Sequence, residues 1–113
     1  MAAFKFDKPA PRKFEAIKIE EWDADEEFTI HELSGNGAKF ILDMLKKAQE
    51  NKSVDDLQFE AEIVNRCLTN SEGEHPPIEW LLEAGVSRLK DLTNQCLRIN
   101  GVILQEQEKA EKN

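Results

Sequence analysis

The sequence predicts an α+β fold that is mostly α-helical, with an N-terminal β-hairpin packed on a small array of about four helices. Apolar residues are interspersed with polar ones at residues 13–22 and alternate with them at residues 28–31, which is the period of a strand with one buried face. Apolar residues recur every three or four positions between residues 38 and 99, which is the period of an amphipathic helix. Glycine, asparagine and proline clusters divide this second region into separate segments.

The predicted hairpin joins strands at residues 13–22 and 28–31 through an acidic connection at residues 23–27. A connection of this length without glycine is within the usual range for hairpins but is not a tight primed turn. Because an isolated hairpin is only marginally stable in water, its apolar face must pack on the helices that follow.

The first two helices are predicted at residues 38–50 and 54–68. A turn cluster at residues 34–37 precedes the first helix, and Ser53 with Asp56 forms a capping box that opens the second. The second helix carries two apolar rows, so it is the candidate for the central helix of the core. The rows are Val54, Leu57, Ala61, Val64 and Leu68, and Phe59, Ile63 and Cys67.

The last two helices follow the strongest break in the chain, TNSEGEHPP at residues 69–77. Pro77 can begin a short third helix at residues 78–84, with Gly85 just past its end. Ser87 is the predicted N-cap of the fourth helix, which Asn100 and Gly101 terminate.

These elements define one domain at residues 13–104, preceded by an extended arm at residues 1–12 and followed by a polar tail at residues 105–113. The chain has 113 residues, of which 40% are hydrophobic. A chain of this size removes roughly two thirds of its unfolded surface from water, which is enough for a single core.

The net charge of −8 restricts the class of partner. Such an acidic chain is a poor ligand for nucleic-acid phosphates or an anionic membrane, so a protein partner is favoured. The sequence lacks the roughly 20 apolar residues of a membrane span and the core of a signal peptide, so we expect it in the cytoplasm.

No group of residues indicates catalysis, a cofactor or a metal. Neither His31 nor His75 has a nucleophile at a recognisable spacing. Cys67 and Cys96 fall in helical patterns without a CxxC pair, so reduced core thiols are favoured over a disulfide or a zinc site. The acidic residues 23–27 lack the glycine and distal glutamate of a calcium loop, so a solvated turn is favoured.

Two segments of the chain resemble the tail assembly chaperones of long-tailed bacteriophages. The first is EEWDADEEFTIHELSGNGAKF, with a tryptophan, a short turn and a strand end before a helix. The second is RCLTNSEGEHPPIEWLLEAGVSRLKDLTNQCLRINGV, with a helix, a glycine loop, a short helix and a last helix ending in Asn-Gly. The resemblance covers about residues 13–102, and it departs from the family at Asp23 and Ala24, where glycines commonly follow the tryptophan.

The resemblance implies a non-enzymatic role in viral morphogenesis, for a phage protein or a prophage copy. Such chaperones bind and solubilise the tape measure protein in the host cytoplasm. They also recruit tail tube subunits, in many members through a longer form made by ribosomal frameshifting, and are absent from the mature virion. The sequence does not determine the oligomeric state, and a homo-oligomer is one of the alternatives.

Five bulky residues near the predicted ends of elements are the candidates for binding the partner. Tryptophans are more often core anchors than contact residues, yet they are also enriched at interface hot spots. The candidates are Trp22, Leu33, Phe40, Trp80 and Leu81.

Two other functional classes stay open at this point. One is an acidic adaptor or inhibitor, also phage-encoded, that binds a basic protein surface through residues 23–27, and steep weakening by salt is its expected signature. The other is a small structural subunit of the tail, which would be found in purified particles.

Overall fold

The computed structural model describes residues 3–50 and 56–102 and confirms the predicted α+β, mostly helical class. In the described residues, three short strands and four helices follow one another along the chain. They are β1 (Phe14–Ile17), β2 (Phe28–His31), α1 (Gly35–Gln49), α2 (Asp56–Cys67), β3 (Leu68–Thr69), α3 (Ile78–Leu82) and α4 (Val86–Ile99). The capping box at Ser53 and the polar tail at residues 105–113 lie outside the described residues.

The sheet has the order β1-β2-β3, and both pairs are antiparallel. β3 was not predicted, because Leu68 continues an apolar row of the preceding helix and its spacing alone cannot distinguish the two states. In the structure Leu68 pairs with Ile30, and both side chains are buried in the core. β2 is therefore the central strand of the sheet, with β1 paired on one side and β3 on the other.

The first strand is shorter than predicted and ends at Ile17. The chain then turns at Ile19, whose carbonyl accepts hydrogen bonds from the N–H groups of Trp22 (3.0 Å) and Asp23 (3.1 Å). The Ile19 side chain is fully buried. Burial of this side chain and closure of this turn end the strand pairing before residue 22, so the connection to β2 is longer than predicted.

Helix α1 begins at Gly35, three residues earlier than predicted, because Ser34 caps it. The Ser34 hydroxyl accepts a hydrogen bond from the Gly37 N–H (3.0 Å), and the Ser34 carbonyl accepts one from the Ala38 N–H (2.8 Å). This is the usual role of serine at a helix N-terminus. The predicted glycine turn is therefore the first turn of the helix.

Helix α4 ends as predicted but begins differently. Its N-cap is Gly85, with no side-chain cap, so the prediction that Ser87 caps the helix is wrong. At the other end Asn100 is the C-cap, and Gly101 has the positive φ (75°) that favours glycine. The Asn100 side chain also accepts a hydrogen bond from the Leu33 N–H (2.9 Å), which ties the helix end to the chain after β2.

Helix α2 has the central position that its two apolar rows predict, since it packs against both α3 and α4. Cys67 and Cys96 are buried and free, as predicted. A hydrogen bond to Cys67, together with burial, raises the pKa of the Cys96 thiol well above its ordinary value, which keeps this thiol protonated. The core comprises Ile19, Ile30, Ile41, Ala61, Ile63, Val64, Cys67, Leu68, Leu81, Leu89, Leu92, Cys96 and Leu97.

Candidate functional site

A groove of about 420 Å³ opens beside the sheet, between the acidic connection of the hairpin and the loop that precedes α3. We call it the tryptophan groove. Its apolar walls come from Trp22, Phe28 and Trp80 and from the two prolines at residues 76–77. Its volume lies in the range of pockets that hold a few buried groups of a ligand.

Three aromatic rings line the groove and contact one another. Trp22 meets Trp80 edge-on, with ring centroids 4.7 Å apart at 79°, and meets Phe28 edge-on at 5.7 Å and 81°. Such edge-to-face pairs add about 0.5 to 1.5 kcal/mol each beyond the area they bury. Trp22 is half-buried against the core, whereas Trp80 remains 49% exposed. Trp80 is therefore held in place by its neighbour and still open to a partner.

Helix α3 is short, so contacts near its first and last residues determine its orientation. Pro77 is its N-cap in an extended conformation, and the Asn65 side chain donates a hydrogen bond to the Pro76 carbonyl (2.7 Å). Leu81 is fully buried in the core. Because adjacent residues of a helix point about 100° apart, burial of Leu81 turns the Trp80 ring toward the groove.

The loop at residues 70–77 forms the opposite wall and is fixed by its own hydrogen bonds. The Asn70 side-chain oxygen accepts from the N–H groups of Glu72 (3.0 Å) and Glu74 (2.9 Å). Gly73 has a φ of 80°, which permits the tight turn. The loop is also joined to the acidic connection, because the Ser71 N–H donates to the Glu26 carboxylate at 2.8 Å.

The rim of the groove is acidic. Asp23, Glu26 and Glu74 line it, and no lysine or arginine of the described residues does. Hydrogen bonding from the Ser71 side chain and backbone lowers the pKa of Glu26, so this carboxylate stays charged at neutral pH. The groove therefore combines an exposed aromatic surface with negative charge.

The Glu26 carboxylate should contribute to stability in a pH-dependent way. Because its pKa is lowered in the folded chain, its contribution is present above the unfolded value of about 4.3 and is lost as pH falls through the folded value. We expect Glu26→Gln to lower Tm slightly at pH 7 and to match the unmodified protein at acid pH. The measurement is Tm against pH by circular dichroism.

Glu27→Gln is the matched control, because Glu27 lies in the same connection and its side chain is exposed and has no hydrogen bond to a described residue. A Tm difference for Glu26→Gln that is the same at every pH, or equal to that of the control, would mean that the contact with Ser71 does not depend on charge.

The structure brings together two of the five sequence-predicted candidates, Trp22 and Trp80. Leu33 is partly buried and lines a different cavity. Phe40 packs edge-on to Phe59 at 6.3 Å and lies under the Arg66 guanidinium at 4.0 Å. The Leu81 side chain has no exposed surface and packs in the core, so it does not line the groove in this structure.

Phe28 belongs to the groove but was predicted only as a strand residue. It pairs with Ile17 at the end of the hairpin, where β2 begins next to the acidic connection. The signal in the sequence is that Trp22 and Phe28 stand directly before and after the connection at residues 23–27. Two aromatic residues at the two ends of one turn could have indicated a shared cluster. The described residues contain no cluster of three or more histidine, cysteine or acidic side chains that could hold a metal ion.

The fold and the groove together define a small α+β domain with an aromatic, acid-rimmed surface groove. Within residues 3–50 and 56–102, no helix has the length and apolar character needed to cross a membrane. Comparisons with protein-family models, with curated proteins and with solved structures find no match for this chain.

Proposed function

We propose that this chain is a tail assembly chaperone of a long-tailed bacteriophage, or a prophage copy of one. In this proposal it binds the tape measure protein and keeps it soluble. It also helps to recruit tail tube subunits, acts in the host cytoplasm, and is absent from the finished virion. The resemblance of two sequence segments to that family is one support, and the tryptophan groove is the other.

The observation that carries the proposal is the position of Trp80, half exposed and fixed edge-on against Trp22. An aromatic side chain that is rigid before binding loses little conformational entropy when a partner covers it. Trp80 therefore has the properties of an interface anchor, since hot spots are enriched in tryptophan.

The partner chemistry that fits this groove is an amphipathic helix with basic flanks. Apolar residues three and four apart on such a helix can contact Trp80 and Phe28, as in other helix-in-groove complexes. Lysine or arginine beside them would face the acidic rim of Asp23, Glu26 and Glu74. A long helical protein with many such segments would be covered by several copies of this domain.

The test is co-expression with the tape measure protein encoded beside it, followed by pull-down and mass spectrometry of the complex and of mature particles. We expect the tape measure protein to become soluble and to be captured, and we expect this chain to be missing from finished tails. Lack of capture would contradict the chaperone role. Retention in the particle would instead support a structural tail subunit.

The adaptor alternative is tested by the salt dependence of the same complex. The Glu26 carboxylate already accepts a hydrogen bond within the fold, which leaves less of the acidic connection free for a basic surface. Binding through apolar contacts with Trp80 changes little with salt, whereas binding through residues 23–27 alone weakens steeply. Steep loss of the complex at moderate salt would therefore favour the adaptor.

A further inference from the structure

A second cavity, of about 700 Å³, lies on the outer face of the sheet, on the side of β2 away from the core. We call it the cation cavity, because Arg12, Lys13 and Arg66 line it together with both histidines of the chain, His31 and His75. Among the described residues that line it, the one carboxylate is Glu32. This positive cluster is unexpected in a chain with a net charge of −8.

The three cations have no ionic partner within the described parts of the chain. Arg88 and Lys90 form the ion pairs seen there, with Glu21, Asp91 and Glu60. Arg66 instead stacks on the Phe40 ring, an arrangement that leaves its N–H groups available.

The one carboxylate in the cavity is already engaged. Glu32 accepts a hydrogen bond from the Lys13 backbone N–H at 2.9 Å, so it braces the strand end. Among the described residues that line the cavity, this single negative charge is set against the three positive charges of Arg12, Lys13 and Arg66. The cavity therefore carries a surplus of positive charge that an anionic ligand would neutralise.

His31 is a titratable group that lines the cavity with these cations. Its Nε2 atom lies 2.9 Å from the Thr69 hydroxyl, which fixes the ring. Burial, and then the positive charges of His75 and Arg12, lower the pKa of His31. A bound anion would act in the opposite direction, because a nearby negative charge favours the protonated imidazole.

The cavity also offers an apolar contact and an open sheet edge. Phe14 lines it and is 73% exposed. β1 is an edge strand, with β2 on one side and no described strand on the other. The Lys13 carbonyl accepts from the Glu32 N–H, so the Phe14 backbone groups, which point the opposite way, face the open edge.

We propose that the cation cavity binds an acidic peptide segment of a partner protein, which adds to the open edge of β1 in an extended conformation. Its carboxylates pair with Arg12 and Arg66, and an apolar side chain covers Phe14. A single small anion would fill little of a cavity of about 700 Å³ and would leave Phe14 exposed. This site adjoins the tryptophan groove, since Thr69 and His75 line both cavities, but it does not depend on the chaperone proposal.

The test uses the full chain and a short fluorescein-labelled peptide of alternating glutamate and valine, with binding followed by fluorescence anisotropy. We expect saturable binding, and we expect Arg12→Glu to weaken it at least about tenfold, because a partner carboxylate loses its pair and meets a like charge. Arg12 is exposed and lies outside the helices and strands, so we expect the substitution to leave the fold intact.

Lys5→Glu is the matched control, since Lys5 lies on the same exposed arm and makes the same change of charge but does not line the cavity. We expect this variant to bind as the unmodified protein does. The proposal would be overturned if Lys5→Glu weakened peptide binding as much as Arg12→Glu does, or if a peptide of alternating lysine and valine bound equally well. Either result would mean that the peptide binds nonspecifically.

Two further readouts separate a peptide site from a small-anion site. On peptide binding we expect slower hydrogen exchange at the Phe14 and Ala16 amides and a rise in the pKa of His31. Both changes are measured by NMR. Inorganic phosphate should not displace the peptide at matched concentration. Full displacement by phosphate, or unchanged exchange at both amides, would overturn strand addition.

Discussion

Replacing Trp80 with alanine should weaken capture of a tape measure segment by about 30-fold or more and leave the helical circular dichroism unchanged. The expected loss corresponds to the 2 kcal/mol or more that defines an interface hot spot. The fold should survive because Trp80 is 49% exposed and lies on the outer side of α3. The measurement is the dissociation constant for a labelled segment of the partner.

Leu82→Ala is the control for this substitution. Leu82 lies on the same helix, is 41% exposed, and does not line the tryptophan groove. We expect this variant to capture the partner normally. If Trp80→Ala binds as well as Leu82→Ala, the groove is not the binding site, and the partner must contact another surface.

Replacing Leu81 with alanine should instead destabilise the fold by about 2 to 5 kcal/mol, the range for large-to-small changes at fully buried positions. Removing this side chain leaves a cavity where α3 packs on α2. In a domain of this size the corresponding fall in Tm is about 10 °C or more. Urea unfolding followed by circular dichroism measures the free energy.

The neighbouring Leu82→Ala again provides the comparison, with an expected cost below about 1 kcal/mol because the side chain is partly solvated. A Leu81→Ala variant that is as stable as the unmodified protein but no longer captures the partner would restore Leu81 to the binding surface. Loss of stability without a specific loss of affinity agrees with its place in the core.

The contrast between Trp80 and Leu81 shows what the sequence can predict at this site. Helical spacing identifies one face when a helix has several turns, as in α4, where Leu89, Leu92 and Cys96 recur every three or four residues and are buried. Helix α3 has five residues, little more than one turn. Its consecutive apolar residues occupy most of the circumference, so the packing of α2 against it decides which one is buried.

The same limit explains the missing strand and the missed cavity. Leu68 fits a helical row as well as a strand, and its pairing with Ile30 depends on where the hairpin lies in space. The cations at Arg12 and Arg66 are far apart in sequence and have no recurring spacing. Periodicity predicted the helices and the hairpin because each forms from residues that are close in sequence. The tryptophan groove and the cation cavity instead arise from contacts between segments that are distant in sequence.

The hydrogen bond between the Asn100 side chain and the Leu33 N–H has a consequence for the order of folding. It joins residues 67 apart, and the Asn100 amide also donates to the Cys96 carbonyl at 2.8 Å. During synthesis the hairpin leaves the ribosome long before Asn100 exists. The junction after β2 therefore closes only when α4 has formed, so the last turn of the last helix completes a structure that the first strands began.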